Sequence, residues 1–168
     1  AILFLYKQVL LIESNMEIRA TRARQSQRLP VVLSREQVAK IMKLLNDKPQ
    51  LMAKLMYGCG LRSLEDIRLR IQDIDFEQKQ IVAREAKGNK DRVTFLPQNL
   101  VEPLKKQIDN VRNVHDADIR NGYGEVYLPN ALARKYPNAA RSLAWQYLFP
   151  ATDISTDPRS GKQMRHHV

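Results

Sequence analysis

The stretch IDFEQKQIVAREAKGNKDRVTFL, residues 74–96, decides the fold class of this chain. Apolar residues at alternate positions indicate three short strands within it. The pairs that mark these strands are Ile74 and Phe76, Ile81 and Ala83, and Val93 and Phe95. Gly88-Asn89 falls between the last two strands as a hairpin turn. The stretch therefore predicts a small three-stranded antiparallel sheet.

Helical periodicity surrounds this sheet on both sides. Ser34 and Gln37 form a capping box that opens one helix. Pro49 suits the first turn of the next helix, and Ser63 is placed to cap a third, short one. After the sheet, apolar residues mark a long helix that Asn121-Gly122 ends. The pattern predicts a mostly α, α+β domain: helices with a small three-stranded antiparallel sheet.

Residues 1–30 differ in character from the rest. Apolar residues at helical spacing in the first dozen positions predict an amphipathic helix. The next segment holds few large apolar groups and several arginines, namely Arg19, Arg22, Arg24 and Arg28. Such a linker beside DNA neutralises phosphates without reading sequence. A merely solvated tether explains the same composition.

Composition favours a nucleic-acid partner. Lysine and arginine number 28 against 18 acidic residues, so the 168-residue chain carries a formal net charge of +10. This excess attracts polyanions, although a generic basic surface kept for solubility has the same composition. The single cysteine, Cys59, excludes an internal disulfide framework and suits a reducing compartment. No stretch approaches the roughly 20 apolar residues of a membrane-spanning helix, so we expect a soluble chain that begins inside a longer protein.

Two local patterns are suited to binding a phosphate. Arg62 follows a Gly-x-Gly-Leu turn between two helices, where amide groups and a guanidinium together make an anion seat. Glu65 lies three residues on, within reach of the arginine. Lys87 and Lys90 flank the Gly-Asn turn, which can direct a lysine at a phosphate as a general acid. A surface ion pair and an exposed lysine-rich turn are the ordinary alternatives.

Three segments resemble the tyrosine recombinases (phage-type integrases) in their amino acids and in their order along the chain. They are residues 57–65, 69–76 and 87–92. The resemblance implies that Arg62 clamps the scissile phosphate, with Glu65 as its accompanying acid. It implies that Lys87 is the general acid on the leaving 5′-oxygen. DNA is then the substrate, no metal or other cofactor is needed, and full-length subunits assemble as a tetrameric synapse in the bacterial cytoplasm, associated with the nucleoid.

Later segments are similar to one subfamily, the integron integrases. They lie at 4–10, 123–129, 131–139, 145–150 and 165–167. This similarity implies the last helix of an N-terminal core-binding domain at 1–16, a basic linker at 17–30, and a partial catalytic domain at 31–168 with the subfamily's insertion at about 120–168.

The same similarity implies two DNA substrates, a folded single-stranded cassette site and a double-stranded attachment site. The residues that match the subfamily's pocket for unpaired bases are Trp145, Pro158, His166 and His167. Further DNA contacts are expected from Arg62, Lys87, Lys90, Arg92, Arg134 and Lys135, and from the linker arginines Arg19, Arg22 and Arg24.

The chemistry of these side chains fits that role and leaves other roles open. A tryptophan and imidazoles are stacking surfaces for an unpaired base, at about 1–3 kcal/mol per stack. Trp145, Tyr147 and Phe149 are equally placed to be core residues. His166-His167 suggests a metal site, but adjacent histidines point apart and no nearby cysteine completes a ligand set, so we expect no bound metal.

The sequence departs from the family where the chemistry is completed. The family needs a later His-x-x-Arg box and a tyrosine nucleophile, and no residue of the 168 matches either. Without the nucleophile no phosphotyrosine link forms. We therefore expect a C-terminally truncated catalytic domain that binds DNA and does not cleave it.

Two readings of other classes remain at this point. Asp75, Glu85 and Lys87 resemble the D…E-x-K arrangement of metal-dependent nucleases, in which carboxylates hold Mg²⁺ and the lysine steadies a hydroxide. The other is a DNA-binding or partner-binding remnant without chemistry of its own.

Overall fold

The computed structural model of the chain describes residues 4–12, 31–86, 90–129 and 132–168, with residues 85 and 86 described by their backbone only. The chain divides into two compact units, residues 1–33 and 34–168. In the first unit a short π-helix spans Leu5–Val9, and none of its side chains is buried. The linker arginines Arg19, Arg22 and Arg24 lie outside the described residues. The assignment of residues 1–16 to a preceding domain stays a prediction.

Three helices precede the sheet in the second unit: α1 (Arg35–Leu44), α2 (Asp47–Cys59) and α3 (Ser63–Ile67). The predicted capping box opens α1, because the Gln37 N–H donates to the Ser34 hydroxyl at 3.3 Å and the Ser34 N–H donates to Gln37 Oε1 at 2.8 Å. Helix α2 ends at Gly60, whose φ of 63° is left-handed and therefore suited to glycine.

The predicted sheet is confirmed. Strands β1 (Ile74–Asp75), β2 (Gln80–Ala86) and β3 (Lys90–Phe95) form an antiparallel meander, with Ile74 opposite Ile81 and Ala83 opposite Arg92. One face carries the buried Ile81 and Ala83. The opposite face exposes 60% of Val93 and 65% of Phe95. The sheet is thus half-buried, but β3 departs from the expected alternation: its apolar residues face outward, while Arg92 and Thr94 lie opposite Ala83 and Ile81 and donate to the Gly60 and Cys59 carbonyls.

A single main core joins these elements to the long helix α4 (Gln98–Arg120), which ends at Asn121 as predicted. The fully buried side chains at its centre are Leu55, Ile81, Leu104, Leu148 and Phe149. They come from α2, β2, α4 and the segment just before Pro150, so the core fixes the C-terminal third of the chain to the helices. Each such side chain contributes roughly 1.5–3 kcal/mol on burial.

Residues 121–168 contain little regular structure. Helix α5 (Leu132–Lys135) and the two-residue strands β4 (Ser155–Thr156) and β5 (Gln163–Met164) are its named elements, besides two 3₁₀ turns. Side chains satisfy many of its main-chain carbonyls. Gln107 donates to the Leu148 carbonyl at 2.8 Å, and Lys48 donates to that of Pro150 at 2.9 Å. Buried carbonyls that lack a ladder partner need such donors, so this irregular segment is held in a defined shape.

The predicted mostly helical α+β fold is therefore observed. In the described part of the chain, no helix is both long and apolar enough to cross a membrane.

Candidate nucleic-acid interface

The Arg62 turn is organised by one carboxylate. Glu65 Oε2 accepts from the Arg62 backbone N–H at 2.9 Å, and Oε1 accepts from Arg62 Nη1 at 2.6 Å. Arg62 itself is the N-cap of α3, so the prediction that Ser63 caps this helix was wrong. The Glu65 side chain, at the N3 position, accepts from the amide of this N-cap residue, which is the reciprocal half of a capping box. The Arg62 side chain remains 57% exposed.

The sheet is joined to the same turn through β3. Arg92 Nη2 donates to Glu65 Oε2 at 2.7 Å and to the Gly60 carbonyl at 2.7 Å. Thr94 Oγ1 donates to the Cys59 carbonyl at 2.8 Å. Burial raises the pKa of Glu65, but the Arg62 amide and the two guanidiniums outweigh it and lower that pKa to about 2. The carboxylate is thus permanently charged, and we name Arg62, Glu65 and Arg92 the phosphate clamp.

Lys87 lies between two paired strands, the second of which carries Arg92 of the clamp. Residues 87–89 lie outside the described residues, so the role of Lys87 stays a prediction. Ala86 and Lys90 are paired across the two strands, and Arg92 on the second strand contacts the clamp directly. Lys90 is exposed at the start of β3.

The backbone separates two residues of the nuclease arrangement, Asp75 and Glu85. Asp75 pairs with Gln80 across β1 and β2, and Glu85 lies five residues further along β2, roughly 16 Å at about 3.3 Å per residue. The Asp75 carboxylate instead accepts from the Gln78 N–H at 2.8 Å within the turn. Among the described residues no group of histidines, cysteines and carboxylates is arranged to hold a metal ion.

A cavity of about 340 Å³ opens beside the clamp. Three parts of the chain line it: the segment from α3 to β1, the β2–β3 hairpin, and the irregular C-terminal segment. Its polar lining includes Glu65, Arg68, Arg70, Asp73, Arg84, Asp91, Arg159, His166 and His167, and its aromatic lining is Tyr127, Trp145 and Tyr147. We call it the aromatic cavity.

Three of the four residues predicted to form a base pocket line this cavity. Trp145, His166 and His167 contribute to it directly. Pro158 is exposed and lies next to Arg159, which lines the cavity. Tyr147 and Phe149 are buried core residues, whereas Trp145 is only half-buried. The core interpretation is thus right for two of the three aromatic residues.

The two histidines are held apart, as expected of neighbours in an extended segment. The His167 ring lies edge-on to Tyr147, with centroids 5.2 Å apart, and its Nδ1 is 2.8 Å from the Val168 carbonyl. His166 Nε2 lies 3.7 Å from Asp157 Oδ1. Arg165 fixes the segment from behind through a bidentate ion pair with Asp118, both distances 2.7 Å.

Arg134 and Lys135 lie on α5 and are exposed, and the same helix contributes Leu132 to the cavity wall. Their side chains therefore face solvent beside the cavity. That placement is compatible with phosphate contacts, which stay a prediction.

Known proteins resemble this chain over nearly its whole length. A sequence profile of the Phage integrase family matches residues 31–167. The chain belongs to this family. An integrase/recombinase of Escherichia coli is 42% identical over 168 residues, which is 100% of this chain and 50% of that protein. An integrase/recombinase of Pseudomonas aeruginosa matches to the same extent.

More distant tyrosine recombinases match a smaller part. The tyrosine recombinase XerA of Thermococcus onnurineus is 39% identical over 84 residues, 48% of this chain and 30% of that protein. A crystal structure of XerA recombinase superposes with a TM-score of 0.46 at 23% identity, covering 52% of this chain and 33% of that one. The integrase chain spans about half the length of the two relatives that it matches throughout.

The structure of this integrase chain also adds residues that the sequence did not single out. Arg70, Tyr127 and Arg159 line the aromatic cavity, and the Arg159 guanidinium lies 4.6 Å from the Tyr127 ring centroid. Arg68 lines it too, and has no hydrogen-bond or ion-pair partner among the described residues. Two of these residues could have been found from the sequence, because Arg68 and Arg70 flank Leu69 in a stretch that is otherwise apolar like a core segment.

Proposed function

We propose that this chain supplies the phosphate-binding half of a site-specific DNA recombinase of the tyrosine type, with the substrate preference of an integron integrase. The phosphate clamp supports the first part of the proposal. A guanidinium that is 57% exposed, yet oriented by a buried carboxylate, is prepared to bind a phosphodiester without reorganising.

Each clamp residue has a distinct task in this proposal. Arg62 neutralises the charge that develops on the scissile phosphate, while Glu65 and Arg92 hold it in place. Lys87, which follows β2 in the sequence, protonates the leaving 5′-oxygen. The attacking tyrosine matches no residue of the 168. The chain alone therefore binds DNA and leaves it intact.

The aromatic cavity is the observation that carries the substrate preference. Its volume of about 340 Å³ accommodates one nucleobase, and its lining of Trp145, Tyr147 and His167 provides ring faces and edges for stacking. Bases within a duplex are already stacked and paired, so only an unpaired base gains by entering. A folded single strand with bases left outside its stem meets that requirement.

Other basic residues extend the contact in the same proposal. Lys90, Arg134 and Lys135 are exposed near these sites and neutralise flanking phosphates, together with the linker arginines. The duplex attachment site then binds through the clamp and the basic surface alone. The full-length protein acts as a tetramer on DNA, in the bacterial cytoplasm and at the nucleoid.

The test is a comparison of three DNA ligands for the 168-residue chain: a hairpin with unpaired bases outside its stem, the same hairpin with those bases deleted, and the matching duplex. We expect the first to bind tightest, by about five- to a hundredfold for one or two stacked bases. Trp145→Ala is expected to remove this difference while leaving duplex affinity unchanged. Equal affinity of the wild-type chain for all three ligands would refute the substrate preference.

The nuclease alternative gains no support from the distance between Asp75 and Glu85. The hypothesis of a DNA-binding or partner-binding remnant differs from the proposed function only in what the full-length protein does. Both hypotheses predict that this chain does not cleave DNA.

A further inference from the structure

Arg70 is the most deeply placed cation of the aromatic cavity. The residue is only 6% exposed. Its guanidinium lies 4.4 Å from the Tyr147 ring centroid and 5.6 Å from the Trp145 ring centroid. Both distances are within the range of cation–π attraction. A single buried side chain thus lies within cation–π distance of two of the three aromatic side chains that line the cavity.

The hydrogen bonds of this guanidinium are equally specific. Nη1 donates to the Trp145 carbonyl at 2.6 Å, and Nη2 donates to the Tyr127 carbonyl at 2.8 Å and the Tyr147 hydroxyl at 3.3 Å. No carboxylate of the described residues forms a salt bridge with it. The planar guanidinium therefore bonds to two main-chain carbonyls, in two segments that line the cavity, and to the hydroxyl of one aromatic ring.

The backbone of Arg70 connects the same regions. Leu148 N–H donates to the Leu69 carbonyl at 2.8 Å, and Ile71 N–H donates to the Gln146 carbonyl at 3.1 Å. The Arg70 N–H donates to Asp73 Oδ2 at 3.0 Å, which orients the residue further. Arg70 follows Glu65 by five positions. It thus links the end of the phosphate-clamp segment with the aromatic segment 75 residues away.

A core position does not by itself call for a guanidinium. Apolar side chains of similar volume usually replace buried charges without loss of stability. What arginine adds is geometry, because a rigid fork fixes two carbonyls and a flat cation fixes the planes of two rings. A stacking site needs those planes to be set before the ligand arrives.

We propose that Arg70 is the positioning residue of the aromatic cavity: it sets the planes of Trp145 and Tyr147 and so determines the preference for unpaired bases. The proposal deepens the proposed function and rests on it for the nature of the ligand. The effect of Arg70 on the rings needs no ligand, which allows the two to be tested apart.

The first measurement uses no DNA. Trp145 is the only tryptophan of the chain, so its emission reports on this site alone. Arg70→Lys keeps a positive charge and loses the fork, while Arg70→Met keeps the length and apolar stem. In both variants we expect Trp145 emission to move to longer wavelength and acrylamide quenching to increase, because the ring is no longer held. Unchanged emission and quenching in folded variants would overturn the proposal.

The second measurement compares DNA affinities. We expect both variants to lose the preference for the hairpin with unpaired bases over the same hairpin without them, about fivefold or more. Duplex affinity should stay within about twofold, because Arg70 is buried and contacts no phosphate. Arg112→Met is the matched control: it makes the same substitution at an exposed arginine of α4, whose guanidinium donates to Asp109 at 2.8 Å, and should change neither emission nor preference.

Circular dichroism and urea unfolding show whether a variant is folded, and Arg70→Met provides a second chance should Arg70→Lys fail. If Trp145→Ala abolishes the preference and the Arg70 variants retain it, the Arg70 proposal fails and the proposed function stands. If wild type shows no preference but the Arg70 variants change Trp145 emission, the proposed ligand is wrong, and a role in selecting unpaired bases fails with it.

Discussion

Glu65→Gln measures how strongly the phosphate clamp depends on one carboxylate. In the wild-type chain the Glu65 oxygens accept three hydrogen bonds, at 2.9 and 2.6 Å from Arg62 and 2.7 Å from Arg92. The amide keeps one acceptor and turns an NH₂ group toward a guanidinium. The pKa of Glu65 falls from 4.5 to about 2, which corresponds to about 3 kcal/mol of folding free energy at neutral pH. Because the Arg62 side chain is 57% exposed, solvent screens its share, and we expect a loss of about 2 kcal/mol.

The effect has a defined pH dependence. A carboxylate whose pKa is depressed on folding stabilises the folded chain above its unfolded pKa, here 4.5, and this contribution disappears as pH falls toward about 2. Urea unfolding of both chains, followed by circular dichroism from neutral to acid pH, should show a difference that is largest near neutrality and shrinks below the unfolded pKa. Glu102→Gln is the control, since Glu102 pairs with Lys105 while 80% exposed. A difference below about 0.5 kcal/mol at neutral pH, or one that persists unchanged in acid, would refute the reasoning.

The remaining predictions concern Asp66, Gly124 and Arg62. Burial raises the pKa of Asp66 from 3.8 to about 7, and neither of its oxygens has a hydrogen-bond partner in the described part of the chain, so its ionisation destabilises the fold as pH rises from 3.8 through 7. Urea unfolding should therefore show that Asp66→Asn stabilises the chain at mildly alkaline pH and not in acid, and an effect that is constant with pH would contradict this. Gly124 has a φ of 93° and a Cβ there would lie 2.7 Å from Ile119 Cγ1, so Gly124→Ala should lower the free energy of unfolding by about 2 kcal/mol or more. Gly122→Ala, also at positive φ but with open space around it, should lower it less, and equal losses would show that the clash with Ile119 contributes nothing. Arg62→Ala should weaken duplex binding modestly and reduce the slope of log K against log salt by about 0.9, one phosphate contact, while Arg112→Ala on the surface of α4 should leave the slope unchanged.

Local patterns predicted much of the fold. The alternation of β2, the Ser34 capping box and the end of α4 at Asn121 all depend on residues close in sequence. The Arg62–Glu65 pair was predictable for the same reason, because the two residues are three positions apart. The predicted N-cap was one residue too late, because Arg62 rather than Ser63 has the extended backbone of an N-cap residue.

The rest of the site depends on contacts that leave no local signal. Arg92 reaches Glu65 across 27 residues, and Arg70 reaches the Trp145 carbonyl across 75. The segment that holds Trp145 is irregular and has no period to read. Its shape is set by side chains from distant elements, such as Gln107 and Lys48, that donate to its carbonyls. Such pairings follow only from the folded arrangement.

The central claim is that an unpaired base enters the aromatic cavity and stacks on Trp145. Titration of the 168-residue chain with a hairpin that carries unpaired bases, followed by the fluorescence of its single tryptophan, tests this most directly. We expect strong, saturable quenching of Trp145 fluorescence with this hairpin. The same hairpin without those bases, bound to the same extent, should cause little quenching. Equal quenching by the two hairpins, or none by either at saturation, would contradict it.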